Sequence, residues 1–207
     1  MQIIMTHILL VRHGQTAWNR SDRFRGRADV PLDEVGIAQA EATGKRIAAQ
    51  WQLQAAYCSP ISRALHTAQA VARPFHLTVQ THPGLTDIDF GAWQGLSAAE
   101  VRARWPVELD QWYNAPHLLH IPGGETLDMM RTRAMQAVNE LVARHPDETI
   151  ALVSHSVINR VILLGVLGLG NERFWHIGQD TCAINVIDAT KDDFTLVSLN
   201  DTCHLRD

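Results

Sequence analysis

The stretch His7-Ile-Leu-Leu-Val-Arg12-His13-Gly14 decides how the rest of the chain is read. Ile8 to Val11 form a short apolar run closed by Gly14, the pattern of a buried strand feeding a loop. Arg12 and His13 therefore stand at the C-terminal end of a strand. Two other stretches repeat the arrangement: Leu53 to Cys58 runs into Ser59-Pro60 with Arg63 close behind, and Thr149 to Ser154 (TIALVS) runs into His155-Ser156.

Helical patterns fill the space between these strands. Val35, Ile37, Ala38, Ala42 and Ile47 mark a helix through about Gln50. Ser59-Pro60 predicts the start of the next one, with serine accepting from exposed amides and proline at the first helical position, and that helix ends before Pro74. Leu77 to Val79 reads as a further strand, and Leu85 to Gly95 as a loop or extended segment. Residues 97–113, with Trp105 and Trp112 among charged groups, read as short helices over the strand ends. After Pro122-Gly123-Gly124, the spacing of Leu127, Met130, Ala134, Val138, Leu141 and Val142 predicts a helix up to His145. A further apolar helix reaches about Leu167, and Ala183 to Ile187 and Phe194 to Leu199 read as final strands. The alternation predicts one α/β domain over residues 1–207, its sheet largely parallel and covered by helices on both faces.

Bulk properties narrow the function. A chain of 207 residues, 46% of them hydrophobic, buries one substantial core. Its formal net charge of −4 supplies no broad basic surface, so nucleic acid is not an expected partner and any anion site must be local. Cys58, Cys182 and Cys203 make neither a disulfide framework nor a C-x-x-C pair. The run Val161 to Leu169 is well short of a membrane span, and Met1 to Val11 has neither a basic leader region nor a small-residue cleavage site. A cytoplasmic chain with reduced thiols and no membrane partner is expected.

In open α/β sheets ligands bind beyond the carboxyl ends of the strands. Convergence of the three strand exits gathers His13, His155, Arg12 and Arg63 into an anion site that contains a nucleophile. Phosphoryl transfer suits such a site, because it needs positive groups around the equatorial oxygens and an in-line attacking atom. Arg12 and Arg63 can clamp oxygens through planar forks, a second imidazole adds a donor, and helix N-termini add amides. A neutral imidazole attacks phosphorus, and a carboxylic acid then protonates the leaving alkoxide. Asp87 or Asp89 can serve. No metal and no cofactor is required.

At these residues the chain resembles the histidine phosphatase superfamily, also called phosphoglycerate-mutase-like. Arg12-His13-Gly14-Gln15-Thr16 with Asn19 resembles its RHGxTxxN signature, and Ser59-Pro60, Arg63-Ala64 and Thr67-Ala68 its SPxxRAxxTA segment. Phe90-Gly91, Trp93 and Gly95 resemble FGxWxG, Pro122-Gly123-Gly124-Glu125 resembles PGGE, and Ser154-His155 the second histidine. The resemblance implies a three-layer α/β/α fold, its mixed sheet mostly parallel, with helical segments capping the active site. It also implies that His13 is phosphorylated and that Arg12, Arg63 and His155 form the phosphate pocket with Asn19. Three positions depart from the family pattern. Asp87 stands where a glutamate acid is usual, its carboxyl one methylene closer to the backbone. Ser156 replaces the glycine that often follows the second histidine. Arg25, before Gly26, replaces a small or amide residue and favours an additional negative group on the substrate. The tail Asn200 to Leu205 resembles one found in phosphatase members, where it borders the substrate pocket, so His204 is either a pocket residue or part of an ordinary surface tail.

The resulting expectation is a metal-independent phosphomonoesterase whose partner is a small phosphorylated metabolite, with a homodimer as a compatible assembly. Two alternatives stand beside it. A cofactor-dependent phosphoglycerate mutase uses the same phosphohistidine, but the segment between Gly95 and Pro122 is short for a mutase. A non-catalytic phosphate-binding regulatory module has no need of the nucleophile. Glu125 and the tryptophans Trp18, Trp93, Trp105, Trp112 and Trp175 read chiefly as structural.

Overall fold

A computed structural model describes residues 4–20, 23–191 and 193–206. In chain order the elements are β1 (Thr6–Arg12), α1 (Ala17–Arg20), α2 (Glu34–Gln50), β2 (Ala55–Cys58), α3 (Ser62–Ala72), β3 (Val79–Thr81), α4 (Ala98–Arg104), α5 (Pro106–Asn114), α6 (Leu127–Arg144), β4 (Thr149–Ser154), α7 (Ser156–Val166), β5 (Ile184–Ala189) and β6 (Phe194–Asp201). They form a six-stranded sheet in the order β3-β2-β4-β1-β5-β6. The strands from β3 to β1 run parallel, and β5 lies antiparallel to both β1 and β6. This is the expected mixed α/β sheet.

Alternation along β1 divides the core into two layers, because successive side chains point to opposite faces. Ile8 and Leu10 join Ile150 and Leu152 beneath α6 and α7. Leu9 and Val11 join Ala151 and Val153 beneath α2 and α3. All these side chains are fully buried or nearly so. Each contributes about 1.5–3 kcal/mol when a leucine, isoleucine or valine is removed from water. Covering of both faces explains why β1 reads as an unbroken apolar run.

Register brings the strand exits together. Arg12 pairs with Ser154 across β1 and β4, and Cys58 pairs with Val153 across β2 and β4. The ladder continues one residue further on each side: the His13 amide donates to Ser154 O (2.9 Å) and the Ser59 amide to Val153 O (3.0 Å). His13, Ser59 and His155 thus leave the sheet side by side.

The Ser59-Pro60 helix start is not where the structure begins α3. The helix starts at Ser62, with Ile61 in an extended conformation at its cap position. Ser59 Oγ accepts instead from the Ile61 amide (3.3 Å), forming a local turn. The first helical amide, that of Ser62, is taken by Asp29 Oδ1 (3.0 Å) from a loop far away in sequence. The strand near residue 78 also lies slightly later than its apolar residues suggest, and residues Asn171–His176 form a 3-10 segment over the strand ends. Among the described residues, no helix is long and apolar enough to cross a membrane.

The loop after β1 is pressed against the start of α2. A Cβ on Gly36 would lie 2.0 Å from Gln15 O, and one on Gly14 would lie 2.4 Å from Gly36 O, both backbone atoms that cannot rotate aside. Gly36→Ala is therefore expected to displace the loop carrying His13 and to destabilise the fold by about 1–3 kcal/mol, read from urea unfolding. An unchanged midpoint would show that the two segments are not in contact.

Candidate active site

Four segments meet on Arg63, the second residue of α3. Its side chain has no exposed surface, and each of its three nitrogens makes at least one hydrogen bond. Nη1 donates to Ala28 O and Nη2 to Gly26 O, each at 2.7 Å. Nη2 also reaches Asp87 Oδ2 at 3.3 Å. Nε is shared between His13 Nε2 (3.3 Å) and His155 Nδ1 (3.2 Å). The two imidazoles lie edge to face, their centroids 5.1 Å apart.

These bonds fix the tautomers. Arg63 can only donate, so His13 Nε2 and His155 Nδ1 present lone pairs to it. His13 Nδ1 faces Gly14 O at 2.6 Å and carries the hydrogen. Burial, then the charges of Arg63 and Arg12, hold His13 well below the ordinary imidazole value of 6.5. His155 is lowered in the same way by burial and Arg63. The result is a neutral imidazole with a directed lone pair.

Arg12 approaches from the end of β1, where Nη1 donates to Gln179 O. Burial lowers its guanidinium to about 10, which leaves it charged at neutral pH. Arg12 Nε and His155 Nε2 are buried without a hydrogen-bond partner in the described structure. Unmet buried donors each cost about 1–3 kcal/mol, a deficit that an oxyanion in the site would remove.

Asp87 is the buried carboxyl beside these groups. Its Oδ1 accepts from the Ile88 amide (3.0 Å), and Oδ2 lies 3.7 Å from His155 Nδ1. Burial raises its carboxyl above the usual carboxylate value, with Arg63 opposing the shift. The shorter side chain thus lies beside Arg63 and His155. Asp89, the other candidate, is occupied elsewhere: it pairs with Arg27 (3.1 Å) and accepts from the Gly91 amide (2.9 Å). Glu125 accepts from Arg133 Nε (2.8 Å) and from the Asp89 amide (3.0 Å), a structural role as expected.

His13 and Asp87 open into a cleft of about 180 Å³. Arg25, Gly26 and Ser156 line it, as the sequence suggested. Gly26 does more than border it. Its φ is +48°, and a Cβ there would meet Ile88 O at 2.7 Å, so glycine lets its carbonyl turn towards Arg63. Five expected pocket residues are not in its lining: Arg12, Arg63 and His155 are buried, with Arg63 in contact with His13 and His155, and Asn19 and His204 lie elsewhere. Asn19 Oδ1 accepts from the Thr16 amide and hydroxyl, both at 2.9 Å, and so stiffens the loop after His13. His204 lies against α2, where Nε2 meets Thr43 Oγ1 at 3.0 Å, because the chain after β6 turns back over that helix. Sequence reasoning missed Arg160, Trp112 and Trp175, which complete the far wall. Arg160 was accessible through its i, i+4 spacing from Ser156 on α7. The larger groove of about 670 Å³ between α2 and α3 contains none of these groups. Among the described residues, no three His, Cys, Asp or Glu side chains converge as metal ligands would.

A family model described as histidine phosphatase superfamily (branch 1) matches residues 8–202. The chain is 32% identical to phosphoserine phosphatase 1 of Hydrogenobacter thermophilus, covering 97% of this chain and 95% of that one. It is 34% identical to the metal-independent phosphoserine phosphatase of Arabidopsis thaliana, over 78% of this chain and 69% of that one. The solved structure of Bacillus stearothermophilus YhfR superposes with a TM-score of 0.93 at 30% identity, covering 97% of this chain and 100% of that one.

The tautomers are open to direct observation. In ¹⁵N-detected spectra at neutral pH, His13 is expected to carry its hydrogen on Nδ1 and His155 on Nε2. Neither should take a second proton until well below pH 6.5. A His13 hydrogen on Nε2 would contradict the Gly14 and Arg63 contacts.

Proposed function

The chain belongs to the histidine phosphatase superfamily (branch 1) and is a phosphatase, and we propose that it hydrolyses the monoester of a small phosphorylated metabolite through a phosphohistidine on His13, without a metal. The observation that carries this reading is the His13 lone pair, aimed by Gly14 O into a pocket of buried guanidinium groups. Phosphoserine is the substrate named for two relatives.

The geometry supports the following sequence. Phosphate oxygens bind Arg12, the shared Nε hydrogen of Arg63 and the unmet Nε2 hydrogen of His155. Loss of the Arg63 contact frees His13 Nε2 to attack phosphorus in line as the ester P–O bond breaks. Gly14 O faces the Nδ1 hydrogen and stabilises the positive charge that develops on the ring. Asp87, whose carboxyl burial shifts toward the protonated form, donates to the leaving alkoxide. Its carboxylate then takes a proton from water, which attacks phosphorus, breaks the N–P bond and releases inorganic phosphate. His13 returns neutral.

Phosphate release from metabolite esters is expected to persist in chelator. His13→Ala should lower it at least about 1000-fold and abolish an acid-labile phosphoenzyme. Release by His13→Ala at the wild-type rate would overturn the reading. Asp87→Asn should slow alkyl esters by about 100-fold or more and p-nitrophenyl phosphate far less; equal losses on both would count against its acid role.

The pH profile has a definite sign. His13 must be neutral, so the acid limb lies below the ordinary imidazole range because its pKa is lowered. Asp87 must be protonated, so rate on alkyl esters falls as pH rises through its raised pKa. Asp87→Asn should remove that alkaline limb. Its survival in the variant would assign the limb to another group.

A further inference from the structure

Arg160 is a cleft cation that the hydrolysis does not use. It lies one helical turn beyond Ser156 and lines the same cleft as His13 and Asp87. Its Nε donates to Ile177 O (2.8 Å), and the guanidinium carbon sits 4.8 Å from the Trp175 ring centroid and 5.2 Å from that of Phe174. Trp175 is itself fixed, its indole hydrogen donated to Trp112 O at 2.6 Å. The plane of the guanidinium is therefore held by a hydrogen bond on one edge and by aromatic rings against its face. Both Nη groups remain without a hydrogen-bond partner among the described residues. Asp180, the acidic group whose field reaches Arg160, makes no ion pair with it and instead accepts from Asn200 Nδ2 at 2.8 Å. Arg23, another cation lining the cleft, lies 3.5 Å from Glu100.

A fixed planar fork with both terminal amino groups open is the donor set for a carboxylate, held bidentately. We propose that Arg160 forms a carboxylate subsite, so that the substrate is a phosphate monoester whose carbon skeleton also carries a carboxylate. The inference rests on the phosphatase reading of the same cleft. Charge favours a carboxylate over a second phosphate. The charges of Arg63, Arg12 and Arg25 all act on His13, where phosphate binds in that reading, and the guanidinium of Arg160 lies outside that group and matches one further negative charge.

The test compares 3-phosphoglycerate with sn-glycerol 3-phosphate, which differ by a carboxylate in place of an uncharged hydroxymethyl group. Wild-type kcat/KM is expected to favour the carboxylate by about 10- to 100-fold, the range of a charge-assisted pair. Arg160→Met, which keeps the apolar stem over Trp175, should collapse that ratio to near unity, chiefly through KM. Arg160→Lys should recover part of it, since it restores the charge without the fork. A wild-type ratio near one overturns the subsite, as does an equal loss on both esters in Arg160→Met or a preference for 1,3-propanediol bisphosphate over 3-phosphoglycerate. Calorimetric binding of the same two esters to His13→Ala separates the two readings. Selective binding with no turnover of any ester by wild type would keep the subsite and sink the phosphatase mechanism. Unselective binding with turnover would do the reverse.

Discussion

The active end of this molecule depends on one buried charge. Removing a guanidinium from water costs several kcal/mol, and Arg63 offsets that cost only because each of its three nitrogens finds an acceptor. Two are loop carbonyls, one is a carboxylate and two are imidazole nitrogens. Since the group is planar and rigid, these bonds also fix the relative positions of the loop at residues 26–28, the segment at Asp87 and the exits of β1 and β4. Lysine, a point charge on a flexible stem, holds no such geometry. Asp29 ties the same loop to the first amide of α3, so loop and helix are joined at both ends of one short span.

The same burial shifts two titratable groups of the site toward their neutral forms. Removal from water disfavours charge on His13 and on Asp87 alike. For the imidazole that favours the form with a free lone pair, and for the carboxyl it shifts the balance toward the protonated form. Arg63 reinforces the first shift and opposes the second.

What could be read from the sequence was whatever local order determines. The strands before His13, Ser59 and His155 were legible because each apolar run stops at a polar or glycine-containing turn, and the site followed from their shared exit. Long-range bonds were not legible. The start of α3 was misplaced because its amide is satisfied by Asp29, not by the adjacent Ser59. Arg12 depends on the carbonyl of Gln179, whose side chain is bonded to Asn185 and Asn159 within a buried polar network remote from it in sequence. His204 has the right tail motif, but Thr43 holds it on the α2 side. Arg160 has helical spacing with Ser156, yet only the fold shows Trp175 beneath it.

The aromatic wall of the cleft is continuous with the core. Phe24, Phe90 and Trp112 belong to the same buried cluster as Ile8 and Leu10 of the central strand, and Trp175, half-exposed, packs on Trp112. A hinged cover can open at little cost because its contacts are few, whereas the buried rings cannot separate without exposing the interior of the sheet. Phe24, Phe90 and Trp112 are therefore held in the cleft wall by the core packing itself. The site's dipoles and charges are set before the ligand arrives, and the free energy that keeps them set is that of folding itself.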